Sequence, residues 1–168
     1  PGYTYMKRRG ISEETLNEFG IGYADGEWSS LYDHLRSMGY RDDKLLELGL
    51  ISRSDKGRCY DKFRNRVIFP IINTGGKVIG FGGRIIGEGE PKYLNSQESA
   101  VFRKKNNLYG LNLSGKEAGR QDAIILVEGY MDVVSLYQAG VRNVSASLGT
   151  ALTENQAKLI RRYTKNVI

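Results

Sequence analysis

The run Ala123–Val127, AIILV, is closed by Glu128 and Gly129. A short aliphatic stretch of this kind is consistent with a strand buried on both faces. Tyr130, Val133, Val134 and Tyr137 follow at i, i+3, i+4 and i+7, the apolar face of a helix. Gly140 ends that helix, and Val144–Leu148 is a second strand. Thr153, Glu154, Asn155 and Gln156 form a capping box that opens a helix to about Tyr163. Val167-Ile168 begins a third strand. Strand, helix, strand, helix, strand in this order demands a parallel, layered α/β sheet.

Upstream the pattern changes twice. Residues 1–50 are expected to be mostly helical. Ser12 is an N-cap for Glu13–Phe19, and Gly20 is its stop. Ser30–Met38 and Asp42–Leu48 are two further short helices, each followed by a glycine. Leu16, Phe19, Leu31, Leu35, Leu45, Leu46 and Leu48 are the expected core of this part. Residues 50–110 turn to β structure: Arg66–Ile72 and Lys77–Ile86 flank Asn73-Thr74-Gly75-Gly76, a hairpin signal. Gly80, Gly82 and Gly83 interrupt the second strand and mark a bulge or a close backbone approach. Residue 85 is Ile, so the spacing is not a dinucleotide fingerprint. Residues 87–110 read as irregular. The fold class expected is α/β, with an α+β basic N-terminal subdomain over residues 1–122 and the parallel-sheet module over 123–168.

A chain of 168 residues suffices for one or two domains with a core. No apolar run approaches the ~20 residues that cross a bilayer, and PGYTYMKRRG at the start has no secretory apolar region. Cys59 is the single cysteine and His34 the single histidine, which excludes an internal disulfide and a four-ligand zinc site. Neither has a partner cluster, so Cys59 reads as an incidental thiol and His34 as a helix residue without a role. A cytoplasmic setting fits. The net charge of +6 is unevenly spread: residues 51–110 hold twelve Lys/Arg against five Asp/Glu, whereas residues 1–50 hold six against nine. The middle segment suggests a polyanion partner, with a solvated basic surface as the alternative. Both ends read as cuts in a longer protein.

Glu128 sits at the carboxyl end of the first parallel strand, where open α/β sheets bind ligands. Gly129 lets the chain turn, and Asp132 lies in the first turn of the next helix. Two acids so placed can hold Mg²⁺, which takes carboxylates together with water and phosphate oxygens. The ordinary explanation of Asp132 is the helix dipole, worth ~0.3–1 kcal/mol. It does not explain Glu128, which follows an aliphatic run where desolvation is costly. From spacing alone the ordinary explanation is favoured for the pair.

LVEGYMD followed by ASLGT resembles the opening of a Toprim domain, and EGYMDVVSLYQAG is similar to the bacterial replicative DNA primases of the DnaG type. RRGIS at 8–12, IGYA at 21–24, YDKFRNRVIFPI at 60–71, VIGFGGR at 78–84, PKYLNS at 91–96 and the FRK…LYG pattern at 102–110 carry the resemblance over the rest of the chain. It implies a fragment of an RNA polymerase that makes short primers on single-stranded DNA by metal-dependent nucleotidyl transfer. The partners implied are NTPs, the template, the RNA–DNA hybrid and, through a domain outside these residues, the replicative helicase, all in a bacterial cytoplasm. By the same resemblance Glu128 and Asp132 are the catalytic, Mg²⁺- or Mn²⁺-holding acids of the Toprim motif, Glu128 either helping to bind the metal or assisting proton transfer. The family's Asp-x-Asp pair belongs to the strand that begins at Val167-Ile168 and is absent here. The fragment is therefore expected to bind metal weakly and not to polymerise alone, and no zinc is expected in it. A different Toprim enzyme (phage primase–helicase, topoisomerase-like or nuclease) and a non-catalytic single-strand binding module are the rival readings.

In the basic segment, cations interleave with aromatics, the general recipe for holding single strands. Arg64 and Arg66 share a face if YDKFRNR is extended, which sets two guanidiniums side by side for phosphate; Asp61 can instead pair with either. The resemblance implies that Arg84, Lys92, Tyr93, Asn95 and Lys104 line the cleft and contact template or nucleotide, with Arg9, Arg64 and Arg66 as similar candidates. Gly82 and Gly83 are expected to let nucleic acid approach the backbone.

Overall fold

A computed structural model describes residues 1–149 and 151–168, so the threonine that closes ASLGT lies outside the described residues. The chain opens with α1 (Gly2–Arg8) and α2 (Glu13–Phe19), then β1 (Gly22–Ala24), α3 (Ser30–Ser37) and α4 (Asp42–Glu47). The hairpin β2 (Ile51–Arg53) and β3 (Cys59–Asp61) precedes β4 (Arg66–Ile72), β5 (Val78–Ile85) and β6 (Tyr93–Asn95). A 3₁₀ turn (Lys104–Asn106), α5 (Leu111–Gln121), β7 (Ile125–Val127), α6 (Tyr130–Gln138), β8 (Val144–Ala146) and α7 (Glu154–Ile160) complete it. β1, β4, β5 and β6 form an antiparallel sheet in the order β1-β4-β5-β6, whereas β7 and β8 are parallel. Val167 adds a parallel bridge to Ile124, and the Ile168 amide donates to the Ile124 carbonyl at 2.9 Å. The fold is mixed α/β, a helical and antiparallel part followed by a βαβα module.

Local chemistry explains the element ends. The Ser12 hydroxyl accepts from the Thr15 amide, and Gly20 is left-handed at φ 65°, which closes α2. Thr153 and Gln156 make both bonds of the capping box on α7. That helix ends at Ile160, and residues 161–163 continue only as turns.

One core joins the two sheets. Val67, Phe69 and Ile71 from β4 meet Val133, Val134 and Tyr137 of α6, Val144 and Ala146 of β8, and Phe19 of α2, all buried. Four expectations need correction. Residues 93–95, expected to be irregular, form β6 and pair with β5. β8 is fully buried, but β7 is only half-buried: Ile125 and Val127 touch the main core and Leu126 a smaller cluster, and neither covers the strand completely. At the end of α4 Leu48 is exposed and Leu46 half-buried, and on α3 Leu31 is exposed and Leu35 half-buried because that helix stands off the antiparallel sheet. The gap is a cavity of about 660 Å³ lined by Leu31, Leu35, Ile68, Pro70 and Phe81 among others. Residues 111–121, which carried no expected element, form α5, whose Leu111 and Ala118 pack with Ile124 and Ile160.

Candidate nucleotide and nucleic-acid site

Strand pairing sorts the basic residues by face. Residues directly opposite in an antiparallel pair lie on one face, and alternate residues share it. Arg84 pairs with Val67 and with Tyr93, and Gly82 pairs with Phe69 and with Asn95. Arg84, Tyr93 and Asn95 therefore lie on the face that carries the main core. Arg66 pairs with Ile85, on the opposite face.

The first residue of α6 locks onto that face. The Tyr130 ring stacks on Phe69 at 5.2 Å and meets Tyr109 edge-on at 4.6 Å. Its hydroxyl donates to Asn95 Oδ1 at 2.7 Å, and Asn95 Nδ2 donates to the Leu148 carbonyl at 3.2 Å. Burial pushes the Tyr130 and Tyr109 phenols well above their ordinary range, so both stay protonated. Gly82 and Gly83 allow close approach, but by this chain's own side chains: a Cβ on Gly82 would lie 2.4 Å from Tyr130 Cζ, and one on Gly83 2.7 Å from Phe63. The room the glycines create is filled from within, not left for nucleic acid.

This lock fixes where the acids sit. Glu128 and Asp132 flank Tyr130 at the carboxyl end of β7, and Asn95 also holds the chain just beyond β8. Tyr130 lies 6.5 Å from the Tyr93 ring, and Arg84 lies 5.8 Å from the same ring. Arg84 and Tyr130, the residue that lies between the two acids in the chain, are thus two aromatic contacts apart. Glu128 is exposed and no described residue bonds it. Asp132 is exposed too, but its Oδ2 accepts from the Gly129 amide at 3.1 Å, capping α6. Among the described residues no group of three or more Asp, Glu, His or Cys comes together. The pair fits a divalent cation only in part, one that draws its other ligands from water and phosphate.

The remaining candidates are scattered. Asn65 is left-handed at φ 50°, so the chain is not extended there and Arg64 and Arg66 do not share a face. The Asp61 carboxylate pairs with neither arginine; it accepts from the Leu31 and Tyr32 amides, while Arg64 Nη1 donates to the Asp61 backbone carbonyl. Arg66 is 5% exposed and donates to the Gly83 carbonyl at 3.3 Å and more weakly to that of Lys92 at 3.5 Å. Burial and then the charge of Arg64 lower its pKa. Lys92 is exposed, one residue before Tyr93. Arg9 is exposed beside Gly10, whose carbonyl accepts from Gln138 at the far end of α6 from the acids. The nine residues of α6 put that end about 13 Å away. Lys104 begins the 3₁₀ turn, and its charge, after burial, lowers the pKa of Lys62.

Two features escaped the sequence. Gln156, fully buried, straps the lysine turn to α7 by donating to the Lys104 and Asn107 carbonyls at 3.0 and 2.8 Å. Gln156→Leu is expected to cost about 2 kcal/mol in urea unfolding, since it strands two carbonyls and the Thr153 amide. The second is Trp28, 64% exposed, with the Arg64 guanidinium 4.2 Å above its ring and Tyr60 edge-on at 5.6 Å. A lone tryptophan in the polar loop DGEWSS was the available signal.

The N-terminal domain family of the DNA primase catalytic core matches residues 1–114, and a Toprim-like family matches 125–168. The chain belongs to the DNA primase catalytic core family. It is 52% identical over 164 residues to the DNA primase of Clostridium acetobutylicum, covering 98% of this chain and 27% of that one. With the DNA primase of Escherichia coli K12 it shares 42% over 164 residues, covering 98% of this chain and 28% of that one. The chain thus spans little more than a quarter of these curated relatives. A crystal structure of a DNA primase domain from Pseudomonas aeruginosa superposes with a TM-score of 0.89 at 43% identity, over 98% of this chain and 51% of that one. A DnaG primase catalytic domain bound to single-stranded DNA does so with a TM-score of 0.86 at 42% identity, over 98% and 53%. The primase fold is thereby established for the described residues, and no helix among them is long and apolar enough to cross a membrane.

Proposed function

We propose that this chain is the template- and nucleotide-holding part of a primase, whose parent joins NTPs into short RNA primers on single-stranded DNA. The carrying observation is the Tyr130 lock, which ties the face of β5 and β6 that bears Arg84 to the acid rim of β7 and α6. In this reading Arg84 and Lys92 take phosphates of nucleotide or template, and Tyr93, 41% exposed, offers a ring for stacking. Lys104, with Lys62 beside it, tracks the strand, and Trp28 with Arg64 stacks a further base. Arg9 serves an outlying phosphate contact. Asn95 acts by holding Tyr130, and Arg66 by holding the carbonyls of β5 and of Lys92. Mg²⁺ or Mn²⁺, when bound, supplies charge stabilisation on the transferring phosphate. Glu128 presents the carboxylate for it, and Asp132 orients the turn that carries Glu128.

Because the two acids gather no third ligand among the described residues, this chain alone is expected to bind single strands without polymerising. The helicase contact lies in a domain outside these residues. Glu128→Ala in the whole parent protein is expected to lower primer synthesis more than about a hundredfold, with single-strand affinity unchanged. Synthesis within severalfold of the unaltered protein would overturn the assignment.

A further inference from the structure

Arg84 is held without a carboxylate. Among the described residues it has no ion pair, and its Nε, buried, has no acceptor. What surrounds the guanidinium instead is two rings, Tyr5 at 4.8 Å and Tyr93 at 5.8 Å. Tyr93 is its cross-strand partner, so that contact comes with the sheet. Tyr5 comes from α1, which the chain brings to the sheet deliberately closely: a Cβ on Gly2 would lie 2.6 Å from Tyr23 Cβ on β1. Tyr5, one turn along from Gly2, packs against the main core, and its hydroxyl is buried with no partner among the described residues. The hydroxyl thus makes no bond among the described residues, and the ring face is what Tyr5 presents to the guanidinium.

We propose that Tyr5 is a positioning residue for Arg84. Its ring face holds the guanidinium in place by attraction to the ring quadrupole and leaves the positive charge unneutralised. A carboxylate in the same place would fix the arginine equally well and cancel the charge that meets phosphate. A lysine-like, unheld arginine would pay the full rotamer entropy on binding. The proposal rests on the reading above that Arg84 contacts phosphate, and it adds a third element, α1, to the site.

The test uses this chain and a fluorescein-labelled oligothymidylate, with binding followed by anisotropy across a range of salt. Arg84→Met is expected to weaken binding and to reduce the salt slope by about 0.7, the value of one single-strand phosphate contact. Tyr5→Leu is expected to weaken binding about fivefold, to reduce the slope in the same direction, and to add nothing in the Arg84→Met background. Tyr5→Phe keeps the ring and is expected to keep the affinity. Should Tyr5→Leu not fold, phenylalanines of increasing ring fluorination at position 5 change the quadrupole with little change of volume. Affinity is then expected to fall along the series, and to stay flat along it when Arg84 is methionine. Additive losses, an unaltered Tyr5→Leu, or a flat series with Arg84 present would overturn the proposal while leaving Arg84 in place. No effect of Arg84→Met on affinity or slope would overturn both it and the reading beneath it.

Discussion

Gly82→Ala is expected to cost about 3 kcal/mol of stability, the top of the ordinary range for overpacking a core. The added Cβ would lie 2.4 Å from Tyr130 Cζ, 2.5 Å from Cε2 and 2.6 Å from the hydroxyl. The ring cannot step aside. Phe69 stacks on it with planes 14° apart, Tyr109 abuts it edge-on, and Asn95 holds its hydroxyl. Moving it therefore breaks the bond that joins α6 to β6. For a chain of this length the loss corresponds to about 6–12 °C in the thermal midpoint. Gly80 is a control on the same strand: its added Cβ would come only to 3.2 Å from Phe102, and the alanine there should cost about 1 kcal/mol. The decisive measurement is a double-mutant cycle. In a Tyr130→Leu background Gly82→Ala should cost little, since the smaller side chain vacates the space. A cost that is the same in both backgrounds would place the strain elsewhere on β5 and dissolve the link between the Arg84 face and the acid rim.

What could be read along the chain was whatever its own neighbours decide. Ser12 and Gly20, the NTGG turn and the Thr153–Gln156 box each close on residues two to four positions away, so their sequence patterns suffice. Position on the parallel module was legible for the same reason: Glu128 ends a strand and Asp132 starts a helix whichever partners they meet. The failures are long-range, save one at Asn65. Gly82 announced a close approach, yet its partner lies 48 positions on, and nothing local distinguishes a tyrosine from a nucleic acid. α5, with two glycines, an asparagine and a serine in LNLSGKEAGRQ, has weak helical propensity, and its buried face of Leu111, Ser114, Gly115 and Ala118 holds only one large apolar side chain. It forms because Leu111 and Ala118 find Ile124 and Ile160, and because Gly115 lets the Tyr163 ring come within 2.7 Å of where a Cβ would be. Arg64 and Arg66 were separated by one residue, Asn65, whose left-handed backbone flips the alternation that the pattern assumed.

The same logic makes Asp61 the second position of large effect. Its carboxylate is 3% exposed and accepts from the Leu31 amide at 2.7 Å and the Tyr32 amide at 2.8 Å, the first turn of α3. Ser29, which stands at the N-cap, makes no side-chain bond to these amides. The cap of α3 is thus supplied from β3, thirty positions away. Asp61→Ala strands both donors and is expected to cost about 3 kcal/mol, visible as a lower urea midpoint with α3 lost first in hydrogen exchange. Asp61→Asn keeps one acceptor and should cost less. It also removes a titration whose sign is opposite to that of most structural aspartates. Burial, opposed by the two amides and aided by Asp25 and Asp33, raises the Asp61 pKa above its ordinary 3.8. The folded state therefore holds this proton more tightly than the unfolded chain does. The stability Asp61 contributes is complete below about pH 3.8, its unfolded value, and is lost as pH rises through the raised folded value. Compared with Asp61→Asn, the unaltered chain should lose ground across that window and run parallel to the variant at neutral pH. Subtracting the variant cancels the other carboxylates, which titrate in both proteins. A difference that grows in favour of the aspartate as pH rises would mean that the two α3 amides outweigh its burial, and that the cap is tuned for the charged form.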